Sequence, residues 1–226
     1  YRRQRQMCIR DRRYVERLVA PFRDRIHLNA PVESVRRLPT HVQVRARGGE
    51  VQQFDRVFFA CHSDQALAML EDASPTEREV LGAIRYQDNE VVLHTDATLL
   101  PKRRLAWAAW NYHLPREAAE QVCVTYNMNI LQGQDTGAPL CVTLNRSNAI
   151  DPAKALRRVN YAHPVFNVAA VAAQARQREL NGAQGTYFCG AYWRNGFHED
   201  GVWSALQALQ HFAEEGDAQR ALHRAG

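Results

Sequence analysis

The chain reads as an α/β protein on three observations. Helical periodicities alternate with short apolar strands along its 226 residues. Val57-Phe58-Phe59-Ala60 is a continuous apolar run of the kind expected where a strand is buried on both faces, and Thr186 to Gly190 reads as a second buried strand. Val42, Val44 and Ala46 alternate with polar partners, the period of a half-buried strand.

Taken in order, Tyr14, Val15, Leu18, Val19 and Phe22 recur at helical spacing up to the interruption near Pro21, which predicts a short amphipathic helix packed on a sheet. Strands are expected at Ile26-His27-Leu28-Asn29, at Val32 to Val35, at His41 to Ala46 and at Phe54 to Ala60. With Gly48-Gly49 as a turn, these make a β-meander that feeds a parallel sheet. A helix opens at Asp64, and Ser74-Pro75-Thr76-Glu77 caps a second one through Ala83. Further strands are predicted at Glu90 to Thr95, Leu105 to Tyr112, Gln121 to Asn127 and Cys141 to Leu144. The polar loop Gly133 to Gly137 lacks a following Lys-Ser/Thr and is a surface turn, not a phosphate loop. Asp151-Pro152 caps a short helix, Val168 to Leu180 is a longer one, and the last runs from about Asp200 to Glu215. The domain division expected is a non-native or disordered leader over 1–12, a partial cofactor domain over 13–75, a second domain over 76–165, and a strand-turn-helix over 166–226.

Composition excludes several classes. The hydrophobic fraction of 46% suits a globular protein, and no run approaches the roughly 18 apolar residues of a membrane helix. No integral membrane segment and a cytoplasmic location are therefore expected. The net charge of +5 is concentrated in YRRQRQMCIRDR at the start, so the remainder is close to neutral and nucleic acid is not an expected partner. Five scattered cysteines without a C-x-x-C pair predict neither a disulfide framework nor a zinc site. His198-Glu199-Asp200 is not a metal site either, because three adjacent residues at a helix start diverge in direction.

The stretch that carries chemistry is Gly190-Ala191-Tyr192-Trp193-Arg194-Asn195-Gly196-Phe197-His198-Glu199-Asp200-Gly201-Val202. A strand ending in glycine, a short loop, and Gly-x-x-x-x-Gly at a helix start let a planar or anionic ligand approach backbone closely. The helix dipole and unpaired N–H groups would favour a group that becomes electron-rich. Trp110 and Tyr112 share one face of a predicted strand, with Trp107 on the other, and could line an apolar cavity.

The run GAYWRNGFHEDGVWSAL resembles the C-terminal FAD signature of flavin-containing amine oxidoreductases, and is closest to a bacterial subgroup of predicted NAD/FAD-binding proteins. The segment Leu28 to Ser63, with Pro31-Val32-Glu33-Ser34-Val35 and Phe54-Asp55-Arg56-Val57-Phe58-Phe59-Ala60-Cys61, resembles a second stretch of the same family. The resemblance implies a partial FAD-binding domain of the two-dinucleotide-binding-domain type with a mixed-sheet substrate domain. It implies FAD bound through Val32, Gly190, Ala191, Gly196, His198, Glu199, Asp200, Gly201 and Val202, and a substrate near Trp110, Tyr112 and Tyr192. The substrate would be an amine or a lipid-like apolar small molecule; the catalytic acid or base and the oligomeric state stay open. No G-x-G-x-x-G occurs in the chain, so the N-terminal Rossmann half is expected to be missing and the fragment inactive alone. A nicotinamide-dependent oxidoreductase and a non-catalytic binding domain that keeps the fold are the rival readings.

Overall fold

The computed structural model describes residues 15–114, 121–133 and 136–225, with side chains to residue 216. In chain order its elements are β1 (Val32–Arg37), β2 (Val42–Ala46), β3 (Val51–Phe54), β4 (Val57–Phe59), α1 (Ser63–Met69), α2 (Pro75–Ala83) and β5 (Arg85–His94). They continue as β6 (Trp110–His113), β7 (Cys123–Asn127), α3 (Met128–Gln132), β8 (Cys141–Leu144), β9 (Ala155–Val165), α4 (Val168–Gln174), α5 (Gln177–Leu180), β10 (Thr186–Phe188) and α6 (His198–Ala225). The chain divides into two units. The first combines His27–Gln87 with Pro164 onward, and the second combines the segment ending at Ile26 with Asp88–His163. The expected leader, residues 1–12, lies outside the described residues.

In the first unit β1, β2 and β3 form an antiparallel meander, and β4 pairs parallel with β10 in the register Val57–Thr186, Phe58–Tyr187, Phe59–Phe188. The expected meander and parallel sheet are therefore both present. All three residues of β10 are buried, and Phe59 and Phe188 stack with ring centroids 5.1 Å apart. Around them Val35, Val42, Val80, Leu81, Ile84, Leu180 and Trp193 close one core. A buried charge cluster fastens the meander to α2. The Arg37 guanidinium, 1% exposed, donates to Asp72 Oδ1 at 3.0 Å and to Glu77 Oε2 at 2.9 Å. Glu77 also accepts from Ser74 N at 2.7 Å, while Ser74 Oγ accepts from Glu77 N at 3.2 Å, which completes the capping box that Ser74-Pro75-Thr76-Glu77 predicts.

The second unit is a five-stranded sheet in the order β6-β7-β8-β5-β9. Its register places Asn111, Thr125, Thr143 and Val92 in one row, and Asn127, Cys141 and His94 in the next. All seven are buried, beneath the turns that carry Leu99 and Ile150. Period-two alternation puts Trp110, Tyr126, Val142 and Leu93 on the other face, beside Tyr112, Val124, Leu144 and Val91. That face is the more open one, with Trp110 43% and Tyr112 61% exposed.

Several expectations are corrected. The helix at residues 15–19, continued by a 3-10 turn at Ala20–Arg25, leaves Val15, Leu18 and Phe22 exposed, so among the described residues its apolar positions are not covered by a sheet. Ile26 to Asn29 is not a strand, because Asn29 turns the chain at φ 56°. Phe58 is 38% exposed, so β4 is not buried on both faces. The expected strand from Leu105 shrinks to Trp110–His113 because Arg104–Ala106 is a 3-10 turn, which takes Trp107 off the strand. Val168 to Leu180 is two helices, α4 and α5. β9 and α3 are additions. β9 is an edge strand whose exposed Arg157 and Arg158 interrupt apolar alternation and also discourage further pairing.

Candidate functional site

β10 delivers the chain into the glycine-punctuated turn, and α6 returns from it. Cys189 N donates to Phe59 O at 2.9 Å, and Gly190 N donates to Ser204 Oγ at 2.8 Å, so the strand end is tied both to β4 and to the second turn of α6. Gly190 must be glycine for a local reason. A Cβ there would lie 2.4 and 2.7 Å from Cε1 and Cδ1 of Tyr192, whose ring is buried. Ala191–Trp193 then forms a 3-10 turn, and Gly196, at φ 88°, bends back so that its N–H reaches Ala191 O at 3.1 Å.

Asp200 holds the loop. Its buried carboxylate accepts from Phe197 N at 2.9 Å and Asn195 N at 3.2 Å, and Arg194 Nε lies 3.7 Å away with its guanidinium over the Trp203 ring. The helix start differs here from the expectation. The N–H groups of Asp200 and Gly201 both donate to Phe197 O, at 3.0 and 3.1 Å. The amides left without an intrahelical acceptor in the first turn are those of His198 and Glu199, both on exposed residues. Gly201 presents open space: a Cβ on it would meet nothing within 4 Å.

Three buried donors have no protein partner among the described residues, Arg56 Nε, Tyr192 Oη and Trp193 Nε1, and the last two lie in this turn. Burial pushes the Tyr192 phenol well above its ordinary value. Burial likewise raises the thiols of Cys61 and Cys189, so neither is an activated nucleophile. Val32 stands at the rim of an open apolar cavity of about 670 Å³, lined also by Pro31, Val44, Phe58 and Cys61. The Cys61 carbonyl lies 3.4 Å from the position of a Gly190 Cβ, so this cavity abuts the strand end.

The structure thus gathers Val32, Gly190, Ala191, Tyr192, Gly196, His198, Glu199, Asp200, Gly201 and Val202 in the first unit, whereas Trp110 and Tyr112 belong to the second. Ser204, which anchors Gly190, carries no signal in the sequence beyond its place in the helix. Among the described residues no group of His, Cys, Asp and Glu could hold a metal ion, and no helix is long and apolar enough to cross a membrane.

A parallel strand pair that ends in a glycine turn and a long helix, joined to a meander, together with a separate five-stranded sheet, defines a flavoprotein-type α/β fold. Residues 2–107 match the family model of flavin-containing amine oxidoreductases, and the fold is that of FAD amine oxidases. A cyclohexylamine oxidase from Brevibacterium oxydans superimposes with a TM-score of 0.57 at 15% identity, over 88% of this chain and 51% of its own. A CLA-producing fatty acid isomerase from P. acnes gives 0.56 at 14%, over 80% and 47%. A reduced UDP-galactopyranose mutase gives 0.57 at 12%, over 82% and 47%. The chain spans about half the length of these structures. No curated protein matches it.

Proposed function

We propose that the chain is part of a cytoplasmic FAD-dependent oxidoreductase that removes a hydride equivalent from an amine or a lipid-like apolar substrate. The residues present fit a flavin. Gly201 leaves open space at a helix start, the His198 and Glu199 amides lack intrahelical acceptors, and Val32 borders an apolar cavity. When bound, the flavin supplies the two-electron acceptor. The chain's own part is to hold and exclude. The positive end of α6 favours negative charge developing beside it, Asp200 fixes the loop from Asn195 to Phe197, and the aromatic face of Trp110, Tyr112 and Tyr126 offers apolar contact to substrate. The dinucleotide phosphates need a glycine-rich turn that these residues lack, and it would come from further sequence of the same protein.

The observation that carries this reading is the open space at Gly201. Gly201→Val in the flavin-loaded protein should lower the flavin-to-protein absorbance ratio strongly. Trp203→Phe should change stability modestly and leave the ratio intact. Full flavin retention in Gly201→Val would remove α6 from the cofactor site.

A further inference from the structure

Four side chains on the buried face of the second unit's sheet form one hydrogen-bonded row across four strands. His94 Nε2 lies 2.7 Å from Thr143 Oγ1, Thr143 Oγ1 lies 2.7 Å from Thr125 Oγ1, and Thr125 Oγ1 lies 2.8 Å from His113 Nε2. The direction of the row is fixed at one end. Asp96 N donates to His94 Nδ1 at 3.1 Å, so Nδ1 carries the lone pair and Nε2 the proton. That proton goes to Thr143. A buried hydroxyl must place its hydrogen on an acceptor, and Thr143 has only Thr125 left, which in turn has His113 Nε2. His113 is thereby held with its lone pair on Nε2 and its proton on Nδ1.

The His113 ring lines a cavity of about 320 Å³ together with Thr98, Leu100, Pro101, Tyr112 and Arg146. Among the described residues no acidic side chain lines it. Among the described residues Arg146 is in no ion pair, and its guanidinium adds to burial in depressing the basicity of His113. An arginine and a histidine held as the Nδ1–H tautomer therefore line one small cavity. Tyr112, in its wall, is 61% exposed and belongs to the sheet face that also carries the exposed Trp110.

We infer that Arg146 and the Nδ1–H of His113 form a binding site for the carboxylate of an otherwise apolar acid, whose chain leaves past Tyr112. The site deepens the reading of the second unit as the substrate-binding part, and rests on that reading. A guanidinium provides paired donors for a carboxylate, and the histidine supplies a further one without having to be charged. The Asp96-to-His113 row makes Thr125, Thr143 and His94 positioning residues for that donor.

The test uses the flavin-free form of the native protein that carries this chain. Octanoate, octan-1-ol, acetate and inorganic phosphate are titrated by calorimetry, and the His113 tautomer is read from long-range proton–nitrogen correlations. Octanoate should bind more tightly than the other three. Arg146→Gln should weaken it roughly tenfold or more and leave octan-1-ol unchanged, while Arg157→Gln, on exposed β9, should have no effect. His113 should be the Nδ1–H tautomer, and Thr125→Val should abolish that preference and weaken octanoate. Equal affinity for octanoate and octan-1-ol, equal affinity for octanoate and phosphate, insensitivity to Arg146→Gln, or an Nε2–H tautomer would each overturn the assignment. Because no flavin takes part, such a failure leaves the cofactor reading of α6 standing, and loss of the cofactor reading leaves this binding result intact.

Discussion

Two glycines eleven residues apart should respond oppositely to the same added methyl group. At Gly190 a Cβ would sit 2.4 Å from the Tyr192 ring, well over 1 Å inside ordinary carbon contact of about 3.5–4 Å. The ring is 3% exposed and has nowhere to swing. Overpacking of this kind costs about 1–3 kcal/mol, and in a chain of this size each kcal/mol moves the melting temperature by roughly 2–4 °C. Gly190→Ala should therefore melt roughly 2–12 °C below wild type. At Gly201 the methyl meets nothing, and alanine in a helix is favoured over glycine by up to about 1 kcal/mol, so Gly201→Ala should melt at or slightly above wild type. Thermal unfolding followed by circular dichroism reads both. A double-mutant cycle isolates the cause: in a Tyr192→Ala background the Gly190→Ala penalty should largely vanish. An undiminished penalty there, or a neutral Gly190→Ala, would show that the tyrosine ring is not what excludes a side chain.

Other predictions follow from the two buried polar groups. Glu77→Ala leaves the Arg37 guanidinium buried beside Asp72 alone and should destabilise the first unit by about 3–5 kcal/mol, whereas Glu79→Ala, on an exposed pair with Arg176, should change the urea midpoint little; comparable losses would contradict the buried-cluster account. Burial holds the pKa of His94 and His113 below the ordinary value near 6.5, opposed at His94 by Asp96 and reinforced at His113 by Arg146. The folded rings then bind fewer protons than the unfolded ones below about pH 6.5, so stability should fall as pH drops from 7 to about 5.5. The slope should be shallower in His113→Asn, and an unchanged slope would mean that this ring titrates normally.

Much of the first unit was legible because its signals are local. Ser74-Pro75-Thr76-Glu77 specifies a cap through its own side chains, and β10 carries the aromatic pair Tyr187-Phe188 just before Cys189, so its burial needs little knowledge of neighbours. The glycine run from Gly190 to Gly201 was legible as a turn, but the reason for Gly190 was not: it depends on how the Tyr192 ring lies, a packing fact with no period. The second unit was harder. Asn111, Tyr112 and His113 alternate as a strand should, yet period two is the same whichever face is inside, and here the polar row is buried while Trp110 and Tyr112 are open. The row from His94 to His113 joins residues as far as 49 positions apart, and nothing near any of them announces the others. β9 was missed because an edge strand tolerates Arg157 and Arg158, which break the apolar alternation that marks interior strands.

Whether α6 begins at a flavin decides the role of this chain. The most direct measurement is the flavin-to-protein absorbance ratio of the native protein that carries this chain, wild type against Gly201→Val, with melting temperature recorded on the same samples. Open space at Gly201, filled only by cofactor, predicts strong loss of flavin in the variant while the flavin-free forms of the two proteins melt within a few degrees of each other. Full flavin occupancy in Gly201→Val, or the same ratio of flavin lost in Trp203→Phe, would contradict it.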